Sequence, residues 1–115
     1  MTQGIFRTLL ILAVLSAGVA ALGDYAAAAD GAAIFQQLTC ARCHKPDRKS
    51  AGAALFEIAE AYGGDQAKLV MFFRGESKPV IETDKWGMMR QQLPKLQALP
   101  EEDQRALAGY IMSFK

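Results

Sequence analysis

Side chains that bind metals are scarce in this 115-residue chain: it holds one histidine, His44, and two cysteines, Cys40 and Cys43. A structural zinc site needs about four Cys or His ligands, so zinc here would require carboxylates or a second chain. Tryptophan occurs once, at Trp86, and proline four times. Alternating apolar–polar runs, the mark of strands, are missing, and so is any internal repeat, which leaves a helical pattern throughout. Charge nearly cancels, with 13 Lys and Arg against 12 Asp and Glu. That balance lacks the basic footprint of a nucleic-acid binder. The apolar run from Leu9 to Leu22 is shorter than the about 20 residues that span a bilayer.

That run sits behind Arg7 and ahead of Ala27-Ala28-Ala29. A positive start, a short apolar stretch and a small-residue site together make an export signal. We expect a cleaved signal peptide at residues 1–29, with an uncleaved N-terminal anchor as the rival. The remaining domain, residues 30–115, is 86 residues long. A chain of that size is hard to stabilise with one apolar core alone.

The scarce residues are concentrated in one place: Cys40-Ala41-Arg42-Cys43-His44. C-x-x-C-H is the attachment signature for c-type haem. Two thiols at this spacing can add to the two vinyl groups of one porphyrin, and the adjacent imidazole then lies under the iron as proximal ligand. A redox dithiol of the thioredoxin kind needs a βαβ pattern nearby, and none is found. A Cys40–Cys43 disulfide is the plain alternative for an exported protein. The motif occurs once, so one haem c with its iron is expected. A covalently held macrocycle would also supply core that so small a domain lacks.

Four helices are expected in the domain. Asp30 can N-cap the first, from Gly31 towards Leu38, with Ile34, Phe35 and Leu38 on one face. Lys45 to Ser50 is polar, contains Pro46 and makes a loop. A second helix covers about Ala54 to Tyr62 and ends at Gly63-Gly64. Asp65 caps a third, to about Arg74, with Gly75 following its end. Residues 76–98 are less regular, with Pro79 and Pro94 as breakers. The last helix begins near Pro100, and Glu101, Glu102 and Asp103 suit its positive N-terminal end. Leu107, Tyr110, Ile111 and Phe114 form its apolar stripe.

An electron carrier needs a second axial ligand, and a thioether favours Fe(II). Met71 and Met112 lie at helical spacing, where Met is usually filler. Met88 and Met89 lie in the less regular stretch, where a loop can wrap the distal haem face. Spacing alone does not choose between them.

From Asp30 to Lys115 the chain resembles the small, soluble class I bacterial cytochromes c. The resemblance is carried by Gly31-x-x-x-Phe35, C-x-x-C-H, Gly52-x-x-Leu55, Met89-x-x-x-Leu93 and Leu107-x-x-Tyr110-Ile111. It implies an all-α class I cytochrome c fold, about four to five short helices wrapped around one covalent haem. It implies Cys40 and Cys43 as attachment points, His44 as proximal ligand and Met89, matching Met-x-x-x-Leu, as distal ligand with Met88 as alternative. It implies a periplasmic, soluble, monomeric electron-transport protein without enzymatic activity of its own. Its partners would be transient: a reductase or dehydrogenase upstream, a terminal oxidase or reductase downstream, and no nucleic acid or membrane. The rivals are a dedicated haem subunit of an oxidoreductase complex and a ligand-binding or peroxidatic haem protein with an open sixth site.

Two departures from the family pattern stand out. Ala53 replaces the usual proline after the turn glycine, whose carbonyl accepts the proximal imidazole N–H, and Gln91 replaces the distal-loop proline. A softer pocket with a more easily displaced Met89 follows as an expectation. By resemblance the first and last helices cross near Gly31, Phe35, Leu107 and Tyr110. Phe56, Phe72, Phe73 and Leu93 are candidate pocket walls. Trp86 is expected to pack or sit half-exposed, with a haem propionate as its alternative partner. Arg42, Lys45, Arg48 and Lys49 are expected to form a solvated loop, with a docking patch for an acidic partner as the alternative.

Overall fold

Each helix starts and stops where side-chain chemistry supplies the missing backbone partners. The computed structural model describes residues 29–115; the expected signal peptide lies outside the described residues apart from Ala29. Helix α1, Gly31–Gln37, begins at Asp30, whose Oδ1 accepts from Ala33 N at 3.2 Å. Helix α2, Leu55–Ala61, has Ala54 as N-cap, with no side-chain acceptor to offer. Half of a reciprocal cap remains, because Ala54 N donates to Glu57 Oε2 at 3.0 Å. Helix α3, Gln66–Phe73, begins at Asp65, which accepts from Lys68 N at 3.1 Å.

Glycine closes both α2 and α3. Gly63 N and Gly64 N bond back to Glu60 O and Ala59 O, and Gly75 N and Glu76 N bond back to Phe72 O and Met71 O. Gly63, Gly64 and Gly75 all hold positive φ, from 61° to 74°, a region that glycine enters without a Cβ clash.

The stretch 76–98 is more regular than expected. It holds two five-residue helices, α4, Trp86–Arg90, and α5, Leu93–Gln97. Pro94 does not break α5. It sits in the first turn, where its missing N–H has no intrahelical acceptor to lose. Met88 and Met89 therefore lie on a short helix, not in an irregular loop. Helix α6, Glu101–Met112, starts after Pro100 with Glu101, Glu102 and Asp103 in its first turn. Among the described residues there are six α-helices and no strand, and none of these helices is long and apolar enough to cross a membrane.

Helix α6 is the organising element, packing against α1, α2 and α3. Its Leu107 and Ala108 are fully buried, and each such leucine contributes about 1.5–3 kcal/mol through burial. The α1–α6 crossing is as close as the resemblance implies. A Cβ on Gly31 would collide with Ala106 O and stand 2.7 Å from Tyr110 Cβ. The Phe35 and Tyr110 rings fill the crossing at 5.4 Å, and Phe114 meets Tyr110 edge-on at 5.1 Å. The other faces of α2, α3 and α5 turn towards a shared cavity.

Candidate functional site

The cysteine pair is presented on a tight 3₁₀ turn, Cys40–Arg42, directly after α1. Thr39 makes the corner with φ 59° and ψ 27°, an outlier for a β-branched residue. Backbone bonds from Cys43 N and His44 N to Cys40 O, at 3.2 and 3.0 Å, then wind the motif on itself. The following loop is closed by Gly52 N to Cys43 O at 2.9 Å and by Leu55 N to Lys45 O at 2.8 Å. The sequence between His44 and α2 is thereby folded back over the motif.

His44 is held by that fold-back. Its Nδ1 lies 2.8 Å from the Ala53 carbonyl, so Nδ1–H donates and Nε2 keeps its lone pair for a metal. The bond expected of the missing proline's carbonyl is made by alanine. Gly52 passes against the imidazole so closely that a Cβ would stand 2.6 Å from Cε1 and 2.9 Å from Nδ1. His44 is half-buried, and Ala53, Ala54 and Leu55, which follow Gly52 in the chain, are 1 % exposed or less.

Cys40, Cys43 and His44 line a cavity of about 480 Å³, within the range of about 300–1,000 Å³ usual for ligand pockets. Phe35, Leu55, Ile58, Leu69, Phe72 and Phe73 supply apolar wall. Phe72 and Phe73 thus stand where the sequence suggested. Phe56 does not reach the cavity, and Leu93 sits in the core beside it. Tyr62, Ile81 and Leu96 also line it and were not anticipated. Tyr62 and Leu96 belong to ordinary helical stripes that carry no chemical signal, and Ile81 lies in the connection before α4.

The far side of the cavity is built by α4. Glu82 turns the chain into a second 3₁₀ turn, Thr83–Lys85, with φ 50° and ψ 46°, and its carboxylate pairs with Lys85 at 3.4 Å. Trp86 is half-buried and packs on Phe72, ring centroids 5.7 Å apart. Met88 and Met89 both border the cavity, but their surroundings differ. Met88 is 61 % exposed, whereas Met89 is partly buried and packed on the hydrophobic core. Met71 is largely exposed on α3.

Both cysteines are free thiols at the cavity wall. Burial pushes the Cys40 thiol above its ordinary value, and Lys95 partly opposes the shift. The basic residues around the motif are mostly occupied locally. Lys45 Nζ donates to Ala41 O at 2.6 Å, Arg48 pairs with Asp47 at 3.2 Å and Lys49 with Glu57 at 3.8 Å. Such exposed pairs are worth about 0–1 kcal/mol, and they suit the solvated loop.

The residues present fit a planar, largely apolar macrocycle held at its edge by two thiols. The cavity lining offers an imidazole whose other nitrogen is already engaged, and it also includes a thioether. Two comparisons agree with that chemistry. The family model described as Cytochrome c matches residues 28–115. Cytochrome c-551 of Stutzerimonas stutzeri is 30 % identical over 109 residues, covering 92 % of this chain and 97 % of the relative.

Proposed function

The chain belongs to the cytochrome c family, and on that premise we propose that it is a periplasmic carrier of single electrons. Covalently bound haem c with its iron is the cofactor of the family, and Cys40 and Cys43 fit its attachment motif. When bound, the haem supplies the one-electron Fe(III)/Fe(II) couple. In the proposed arrangement Cys40 and Cys43 would tether it, and His44 Nε2 and Met89 Sδ would be the groups that hold its iron.

The residues divide the remaining work. Ala53 O orients His44 and makes it a better donor. Gly52 removes the side chain that would push the imidazole aside. Phe72, Phe73 and Leu55 exclude water, and a dry, soft-liganded site favours the reduced state. Met89 is preferred to Met88 because a ligand must face the cavity, and Met88 is largely in solvent. No group in the cavity is assigned to making or breaking a substrate bond. Partners are proposed to be redox proteins that dock transiently at the cavity mouth, which Met88 borders while 61 % exposed.

The observation that carries this reading is the His44–Ala53 bond, which aims a lone pair into a cavity that also holds both thiols and Met89. Visible spectra of the protein made with haem c maturation machinery test it. Sharp low-spin reduced bands with a weak far-red thioether-to-Fe(III) band are expected. A high-spin spectrum, with rapid and complete carbon monoxide binding to the reduced protein, would overturn it in favour of an open, ligand-binding site. Export is tested separately by N-terminal sequencing of the periplasmic fraction, with Asp30 or a nearby residue expected as the new terminus.

A further inference from the structure

Gln104 is the one fully buried polar side chain among the described residues, 4 % exposed, and it lies outside the cavity. Both ends of its amide are used. Nε2 donates to Leu96 O at 3.0 Å, on α5, and Oε1 accepts from Arg74 Nε at 3.1 Å, at the end of α3. Arg74 in turn pairs with Glu101 at 3.2 Å, and Arg74 O accepts from Gln97 Nε2 at 3.3 Å. One buried amide on α6 therefore joins α3 and α5.

Helix α5 needs that anchor. It has five residues and no side-chain N-cap, as does α4 before it, and helices this short do not hold their shape unaided. The two are coupled in series: Gln92 N bonds to Met89 O at 2.9 Å and Lys95 N to Gln92 O at 3.1 Å. Leu93 and Leu96 press α5 onto the core. A shift of α5 would thus be passed through Gln92 to the backbone of Met89.

We infer that Gln104 is a positioning residue for the Met89 thioether, holding α5 and through it α4 in place at the cavity; this rests on Met89 being the distal ligand. The bond to Leu96 O is the part that matters, since it is the one that reaches α5 directly.

The test uses the full haem-loaded protein and measures imidazole binding to the Fe(III) form, together with global unfolding in guanidinium chloride. Gln104→Met keeps the volume and removes both hydrogen bonds. Gln104→Glu keeps an acceptor for Arg74 and loses the donor to Leu96. Gln66→Ala, which removes a different α3–α6 bond to Arg105 O, is the control for general loosening. Imidazole is expected to bind roughly tenfold more tightly to Gln104→Met, the equivalent of about one to two hydrogen bonds. Gln104→Glu should show most of that gain and Gln66→Ala none. Unchanged imidazole affinity in Gln104→Glu, with the far-red band intact in the parent, would overturn the inference alone. An equal gain in Gln66→Ala would also overturn it. A parent without the far-red band would remove the Met89 assignment and this inference together.

Discussion

The two sides of the cavity are built by different means. The His44 side is contiguous: residues 39–55 wind, fold back and close on themselves through backbone bonds a few to ten residues apart. Its returning segment is buried at Gly52, Ala53 and Ala54, while residues 46–51 face solvent. The Met89 side is assembled from short pieces. Residues 82–97 make a 3₁₀ turn and two five-residue helices with no side-chain N-caps, and their anchor, Gln104, lies on another helix and is itself tied to Arg74, 30 residues back in the chain. Local closure loses little entropy and leaves few alternatives. Two uncapped five-residue helices leaning on a neighbouring helix are looser, and the proposed distal ligand is the one that should yield first.

Met89→Ala is the largest expected break in that comparison. It should convert the site to high spin and open it to carbon monoxide, whereas Met88→Ala should leave the spectrum intact. The reverse pattern would exchange the two residues' roles.

Gly52→Ala attacks the other side. Its new Cβ must displace the His44 ring or the backbone, so a loss of about 1–3 kcal/mol is expected, as for other overpacked sites. Denaturant unfolding gives the loss, and the same variant should disturb the proximal ligand while the far-red band shows whether Met89 is still bound. A neutral result would mean that the fold-back loop is not stiff.

Ala53→Pro sharpens the contrast by stiffening the side that is already stiff. Ala53 N donates no hydrogen bond among the described residues, so proline costs none there. A gain of about 0.4–1 kcal/mol is expected, with imidazole displacing Met89 less readily than in the parent. Equal displacement in both would show that Ala53 does not soften the pocket.

The smallest effect concerns Tyr62, which ties α2 to the distal segment. Burial raises its phenol above the ordinary 10.0, and the nearby Val80 backbone opposes that only in part. A raised folded value means that the neutral phenol is favoured in the fold. Its contribution is complete below pH 10 and falls as pH rises past that value. Tyr62→Phe should therefore flatten the alkaline decline in stability, measured by denaturant unfolding between pH 9 and 11. An unaltered decline would assign it to other groups.

Much of the site was legible because its signals are short-range. C-x-x-C-H needs only five residues, and the capping residues Asp30, Asp65, Gly63 and Gly75 act on backbone within one turn of themselves. Residues 76–98 are more regular than their prolines suggest, because Pro94 falls in the first turn of α5, where a proline is harmless. Phe56, a candidate for the cavity wall, is half-buried and joins neither the cavity nor the core cluster, because an apolar side chain does not by itself say which face of its helix meets the core.

The sequence by itself determined the helical class, the ends of the four longer helices and the cluster of two thiols and one imidazole, because each depends on bonds between near neighbours. Which methionine turns inward depended on how α4 lies across the core. The burial of Gln104 depended on three helices meeting, and the 2.6 Å clearance at Gly52 on a loop returning to His44. Those are distances between residues far apart in the chain or across a closed loop, and only the packed structure decides them.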